Sequence, residues 1–201
     1  IARAVNLAAK KGILVLVSAG NSGDDDWKYI ATPADADSAL TVGAVTGSGL
    51  HRDFSSFGPT SDYRMKPNVV AFGDVMAATK NGIEKAYGTS FSCPLVAGFA
   101  ACVWEKHPSK SNMEIFKMVE RSGSLFPYFD YAHGFGVPKA SFFFKDEEKN
   151  PTFKIRKVKD SVLVEIIDKS YLNTGTQYMF MHVEYDPVSY THLTLPTNAC
   201  V

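Results

Sequence analysis

The chain has 201 residues, 45% of them hydrophobic, which is enough to bury a substantial core. Lysine plus arginine and aspartate plus glutamate each number 21, so the formal charge is zero and gives no reason to expect nucleic acid or an anionic membrane as a partner. No apolar run reaches transmembrane length, and three cysteines are too few for a disulfide scaffold.

Ala2 to Lys11 reads as an amphipathic helix ending near Gly12, with Val5 and Leu7 to Ala9 on its apolar side. Ile13 to Ala19 reads as a buried strand. Its unbroken, β-branched start, Ile13 to Val17, suits a parallel strand covered on both faces. The strand runs into Gly20-Asn21-Ser22-Gly23, so Asn21 stands at its carboxyl end, where open α/β sheets place their sites. Two readings fit Asn21: a turn residue between glycines, or an amide donor aimed at a developing oxyanion. Asp24-Asp25-Asp26 reads as a solvated acidic loop, with calcium binding as the alternative. Trp27 and Tyr29 follow, as cleft lining or as rim packing.

Leu40 to Val45 predicts another strand, and Asn68 to Ala71 and Asp74 to Ala78 predict short extended pieces around Gly73. His51, between polar neighbours, reads as a surface residue. In Gly88-Thr89-Ser90 a glycine turn delivers a serine to the start of an apolar helix, Ser90 to Lys106. Backbone N–H groups and the positive end of a helix dipole converge there, which suits a serine nucleophile beside an oxyanion; an ordinary N-cap is the other reading. Phe91, Leu95, Val96, Phe99, Ala100, Val103 and Trp104 surround the helix, which predicts burial on nearly every side. Gly98 is expected to admit a close neighbour. Cys93 and Cys102 read as small buried hydrophobes; nine steps of helix point them to opposite faces about 13.5 Å apart, too far for a disulfide. His107 suits the helix C-terminus, and 17 positions of helix place it about 25 Å from Ser90.

Ser111-Asn112-Met113-Glu114 is a capping box for an amphipathic helix that packs through Met113, Ile115, Phe116 and Val119 and ends at Gly123. His133 reads as structural or exposed, Phe135 to Val137 as a short strand, and Phe142-Phe143-Phe144 as packing for the last turn. Lys145 to Pro151 reads as a charged linker. Beyond it, Phe153 to Val158, Val162 to Ile167 and Tyr178 to Tyr185 predict strands, the first two joined by Lys159-Asp160-Ser161. They read as the start of a β-sandwich-like region.

Several of these segments together resemble the subtilisin-like serine proteases, or subtilases. Ser18-Ala19-Gly20-Asn21 resembles the family's oxyanion-asparagine segment. The stretch from Thr32 to Val45 resembles its following loop and strand. Phe54-Ser55-Ser56-Phe57-Gly58-Pro59 and Lys66-Pro67-Asn68-Val69-Val70-Ala71 resemble two further signatures. Gly88-Thr89-Ser90 with Pro94 resembles the nucleophile motif, and Gly134-Phe135-Gly136-Val137-Pro138 the closing strand. Phe72 stands where many subtilases have proline, and Leu95 where many have a histidine that is not the triad base.

The resemblance implies an α/β fold with a parallel sheet flanked by helices over residues 1–144, a linker at 145–151 and the start of a β-rich domain at 152–187. Residues 188–201 fit no earlier pattern, resemble translated adapter sequence and are expected to be a non-native tail. The resemblance further implies a serine endopeptidase with Ser90 as nucleophile and Asn21 in the oxyanion hole. Ser18, Ala19 and Gly20 would form one substrate wall, and Gly88 and Thr89 the nucleophile turn. No metal or other cofactor is expected, calcium remaining open. The expected partner is a peptide or protein substrate, and the expected location is secreted or at the cell envelope. A cis peptide is implied at Thr32-Pro33.

Subtilases order their triad aspartate, histidine, serine. No histidine precedes His51, so the chain is expected to be the C-terminal part of a catalytic domain, lacking the upstream acid and base and inert alone. The alternative is a pseudoprotease or binding domain on the same scaffold. A nucleotide-binding domain using Gly20 to Gly23 is disfavoured, because the acidic triplet that follows repels phosphate.

Overall fold

The computed structural model describes residues 1–80, 82–144, 153–158, 161–167, 178–186 and 189–196. The chain divides into two compact units, Ile1–Lys145 and Asp146–Val201.

The first unit begins with α1 (Ala2–Lys10), whose exit turns at Gly12, φ +89°. The Ile13 N–H turns back to the Ala8 carbonyl at 3.2 Å, so Ile13 belongs to the helix exit and is exposed, and β1 spans only Val15–Ser18. Leu7 is also exposed. At 100° per residue it lies about 160° around the helix from Val5 and from Ala9, which is the buried position, and so points away from the core.

Strands β1, β2 (Ala39–Val45) and β3 (Val69–Phe72) form a parallel sheet in the order β1-β2-β3, with Leu16 opposite Leu40 and Val42 opposite Val69. All seven residues of β2 are buried, whereas all four of β1 are half-buried. The expectation of a fully covered β1 therefore fails: β1 is the edge of the sheet and has no strand on its outer side among the described residues.

A hairpin leaves the sheet at Gly73. Its arms, β4 (Asp74–Thr79) and β5 (Gly82–Tyr87), pair antiparallel from Asp74 opposite Tyr87 outward. The expected extended piece at Asp74 is thus one arm of a ribbon whose other arm escaped the sequence reading. At its root the Gly88 N–H donates to the Gly73 carbonyl at 3.0 Å.

The long helix α2 (Thr89–Lys106) lies across all three parallel strands and packs on α3 (Asn112–Arg121). Leu40, Val42, Val69 and Ala71 of the sheet meet Val96, Ala100 and Val103 of α2 and Ile115, Phe116 and Val119 of α3 in one core. The capping box forms as expected: Ser111 Oγ accepts from the Glu114 N–H, and the Glu114 carboxylate accepts from the Ser111 N–H. His107 caps the end of α2, its N–H reaching the Val103 and Trp104 carbonyls.

Burial of α2 on nearly every side is not what the structure shows. Leu95, Gly98 and Ala101 are exposed, as is Cys102, while Cys93 is half-buried. A Cβ built on Gly98 meets nothing within 4 Å, so that glycine admits no close neighbour among the described residues.

Phe135 to Val137 is not the expected strand; isolated bridges form beside it, Gly134 with Asp130 and Pro138 with Gly123. The Phe135 N–H still donates to the Asn68 carbonyl and the Val70 N–H to the Gly136 carbonyl, but Gly134 and Gly136 at φ +58° and +84° break the extended path. A 3₁₀ turn over Ala140–Phe143 tucks Phe143 against the core, while Phe144 is exposed. The Thr32-Pro33 peptide is cis, as the resemblance implies.

A buried polar junction ties these elements together. Asn68 Oδ1 accepts from the Thr41 N–H at 2.7 Å and from Lys66 Nζ at 2.8 Å, and Asn68 Nδ2 donates to Glu120 Oε1 at 2.8 Å. Lys66 Nζ also donates to the Ala39 carbonyl. Burial pulls the Lys66 amine down to about 8, although the Glu120 carboxylate opposes the shift.

In the second unit β6 (Phe153–Val158) pairs antiparallel with β7 (Ser161–Ile166), and β8 (Tyr178–Asp186) with β9 (Ser189–Pro196). β9 falls within the stretch expected to be a non-native tail. The expected linker at 145–151, Lys159 and Asp160 of the expected connection Lys159-Asp160-Ser161, and Cys200 lie outside the described residues, while Ser161 opens β7.

Candidate active site

The carboxyl end of β1 and the amino end of α2 meet, although Asn21 and Ser90 are far apart in sequence. Gly20 turns the chain out of the strand at φ +107°, and Gly88 turns it into the helix at φ +148°, both conformations that favour glycine. A side chain at Gly88 would press on Asn21, whose Nδ2 lies 3.2 Å from the position of an added Cβ.

Thr89 joins the two turns. It is buried at 1% exposure. Its N–H donates to Asn21 Oδ1 at 2.9 Å and its hydroxyl donates to the same oxygen at 2.8 Å. The Gly20 N–H in turn donates to Thr89 Oγ1 at 3.3 Å. Two donors on one carboxamide atom identify that atom as the oxygen. The Asn21 NH₂ is therefore the opposite end of the group, and it donates to no protein atom among the described residues. Asn21 is exposed, and so is Ser90 in the first turn of α2. The first N–H groups of a helix have no partner within it, and the dipole there favours negative charge.

A second loop holds the Asn21 turn from behind. The Ser56 N–H donates to the Gly20 carbonyl at 2.9 Å, and Ser56 Oγ accepts from the Ser22 N–H at 3.1 Å, so Ser56 grips the backbone on both sides of Asn21. The Gly23 N–H reaches the Phe54 carbonyl at 2.8 Å, and a Cβ at Gly23 would run into the carbonyl oxygens of Asp53 and Ser55. The sequence offered the signature around Phe54 to Pro59 but no role for Ser56. Glycines at 20 and 23 opposite paired serines are the signal that could have found it.

Ser18 and Gly20 are half-buried and Ala19 is buried, so the wall they present at the strand end is low and narrow. Tyr29 stacks edge-on against Phe57 with ring centroids 5.6 Å apart, and Trp27 is exposed at the rim. Asp24, Asp25 and Asp26 are all exposed. Among the described residues no group of three or more His, Cys, Asp or Glu side chains is arranged to hold a metal.

His51 and His133 form a cluster of their own in the first unit. His51 is not the surface residue expected: its ring packs edge-on against Phe57 at 6.0 Å and against His133 at 5.9 Å, and its Nε2 is buried without a hydrogen bond. Burial above all, with His133 adding to it, lowers its pKa to about 4. His133 is buried and its Nδ1 lies 3.0 Å from Asp130 Oδ2. Burial alone would raise the Asp130 pKa, but the contacts with His133 and the His133 and Ala132 amides bring it below the usual carboxylate range. The Ser90 side chain has no hydrogen bond to a histidine among the described residues.

The model of the subtilase family matches residues 1–136. Subtilisin BL of Lederbergia lenta is 38% identical over 115 residues, which is 56% of this chain and 39% of that protein. Subtilisin E of Bacillus subtilis is 34% identical over 122 residues, 60% of this chain and 31% of that protein. Among solved structures, Sphericase superposes with a TM-score of 0.59 at 32% identity, covering 70% of this chain and 52% of its own. The self-cleaved protease domain of PatA gives 0.58 at 25% identity, covering 70% and 52%. The chain thus spans about half the length, or less, of the relatives it matches.

Proposed function

This chain belongs to the subtilase family, and from that premise we propose that residues 1–144 carry the nucleophile and oxyanion side of a serine endopeptidase site. Ser90 Oγ attacks the carbonyl carbon of a peptide bond. A histidine from outside these 201 residues takes the hydroxyl proton and returns it to the leaving amine. Asn21 Nδ2 and the Ser90 N–H hold the tetrahedral oxyanion. Ser18, Ala19 and Gly20 line one side of the pocket for the residue before the scissile bond, and their small side chains leave room for a large apolar one. Thr89 fixes the Asn21 carboxamide rather than touching substrate. The chain alone is inert, because none of its own histidines serves as base. The reaction uses no metal or other cofactor, and the enzyme works outside the cell or at its envelope, as the family suggests.

The observation that carries the reading is the double tether on Asn21 Oδ1. It holds the carboxamide by its oxygen, and Asn21 Nδ2 and the Ser90 N both lie within 4 Å of one point, the position of a Cβ added to Gly88, which supports reading the two as a pair of donors; preorganised donors are the ones that accelerate acyl transfer. Removing an oxyanion-hole amide in subtilisin itself costs about 10²–10³ in turnover, and a loss of the same order is expected at Asn21 if it plays the proposed role.

A fluorophosphonate probe with peptide mapping tests this. Ser90 is expected to be labelled only when a polypeptide carrying a subtilase general base completes the site, and the chain alone is expected to stay unlabelled. Labelling that survives Ser90→Ala would overturn the assignment. A completed site that leaves Ser90 unlabelled would favour a pseudoprotease.

A further inference from the structure

The segment 51–58 is a strap between the sheet and the Asn21 turn. It is rooted on β2, where the Arg52 N–H donates to the Ala44 carbonyl at 3.0 Å and Ser55 Oγ accepts from the Ala44 N–H at 3.0 Å. It holds the turn at three points. The Phe54 carbonyl accepts from the Gly23 N–H, the Ser56 N–H donates to the Gly20 carbonyl, and Ser56 Oγ accepts from the Ser22 N–H. The fit leaves no slack, since a Cβ added to Gly20 would lie 2.9 Å from Ser56 Oγ. Further along, the Phe57 N–H donates to the Lys28 carbonyl at 3.2 Å, and its carbonyl accepts from the Ile30 N–H at 3.0 Å.

One ring fastens both ends of the strap. His51 at its start packs on Phe57 near its end and on His133 of the 130–134 loop, and the Gly58 N–H donates to the Tyr131 carbonyl of that loop at 2.9 Å. The charged and titratable groups around His51 are few. β2 offers only apolar Val45, its bridge partner, and the 130–134 loop offers His133 and Asp130. From the strap itself Asp53 acts on the ring, while the Arg52 guanidinium is taken up by Asp74 at 3.0 Å. The Asp130 carboxylate is already engaged by His133 Nδ1 at 3.0 Å and by the Ala132 and His133 amides at 2.7 and 2.6 Å. A neutral imidazole has one N–H and an imidazolium has two. His51 Nε2 is buried with no hydrogen bond, so a proton placed there has no acceptor while the ring stays in. Burial and His133 outweigh Asp130, Asp53 and the Ser55 backbone, and the enclosed ring is held neutral. We propose that residues 51–58 are an acid-released clamp on the Asn21 turn: a proton on His51 expels the ring toward water, and the strap that leaves with it takes away the three bonds holding the turn. The consequence for catalysis rests on the protease reading; the release of the strap does not.

Residue-resolved amide exchange of the 201-residue protein at pH 7 and pH 5 tests the release, with rates expressed as protection factors so that the intrinsic pH dependence divides out. The Ser22, Gly23, Ser56 and Gly58 amides are expected to lose protection at least about tenfold at pH 5, as follows when His51 titrates at about 4 with the strap closed and at 6.5 with it open. Val119 of α3, buried in the core, is expected to stay better protected than the strap at both pH values. His51→Phe is expected to remove the pH dependence of the four amides, and His51→Gln to do the same with a smaller, neutral side chain. Strap amides that keep their protection at pH 5 overturn the proposal, as does a loss that survives both variants. Protection equal to that of Val119 at both pH values overturns it too, because the strap then opens only with the whole unit. Fluorophosphonate labelling of Ser90 in a completed site is read separately. Between pH 7 and pH 5 the wild type is expected to lose about threefold more labelling than His51→Phe, since the added base titrates alike in both and only the clamp differs. Coincident labelling profiles overturn the coupling of the clamp to the site. A completed site that is labelled at neither pH sinks the protease reading and leaves the strap to be judged by exchange alone.

Discussion

Asn21 and Asn68 do the same thing with their oxygens and opposite things with their nitrogens. Each Oδ1 accepts two hydrogen bonds, from the Thr89 N–H and hydroxyl in one case and from the Thr41 N–H and Lys66 ammonium in the other. Asn68 donates from its NH₂ to Glu120 and is buried at 6% exposure, so both ends of the group are engaged inside the protein. Asn21 is exposed and its NH₂ has no protein partner among the described residues. A carboxamide engaged at both ends serves the architecture. One anchored by its oxygen alone keeps its donors free, which is what the proposed oxyanion role would need.

The largest effect that could break this contrast is on stability. Asn68→Ala strands the Thr41 N–H, the Lys66 ammonium and the Glu120 carboxylate in the interior, and is expected to cost about 3–5 kcal/mol in denaturant unfolding. A loss below about 1 kcal/mol would mean the junction is dispensable. Next in size is an acid dependence from the second buried cluster. The folded pKa of His51 lies at about 4 against 6.5 in the unfolded chain, so the unfolded state binds more protons between these values. Stability is then full above pH 6.5, falls by up to about 3 kcal/mol as the pH drops to 4, and His51→Phe should flatten that slope. Lys66 acts at the other end of the scale. Its folded pKa of about 8 lies below its ordinary 10.5, so stability should rise with pH across that window.

Asn21→Asp sharpens the contrast most. It keeps an oxygen for Thr89 and removes the donors, so the unfolding free energy should change by less than about 1 kcal/mol, with the added charge favoured near a helix amino end. Labelling of Ser90 in a completed site should nonetheless fall about 10²–10³-fold. The smallest expected effect is Ser111→Ala at the α3 cap, about 1 kcal/mol, with no change at Ser90.

What was legible in the sequence was local. The glycine turns at 20 and 88, the serine at a helix start and the capping box at 111–114 each announce a backbone conformation within a few residues, and all are found where expected. The strand β2 was legible too, to within one residue of its observed start. The misreadings concern which side of an element faces what. Leu7, Gly98 and Cys102 were assigned to interiors because apolar composition does not say which face has a neighbour. His51 was misread in the opposite sense: polar residues flank it in sequence, but Phe57 and His133 enclose it in space. The Asn68 junction joins positions 41, 66, 68 and 120, and Ser56 grips a turn more than thirty positions away. Neither has a short-range signature.

The hairpin between β3 and α2 opens and closes at one point, because the Gly88 N–H bonds the Gly73 carbonyl. The fourteen positions between those glycines are therefore an excursion whose length does not enter the distance from the sheet to Ser90. Residues inserted beyond Thr79 add only loop entropy, which grows with the logarithm of length. That tip is accordingly the place to graft a recognition epitope or an affinity handle while Ser90 keeps its position.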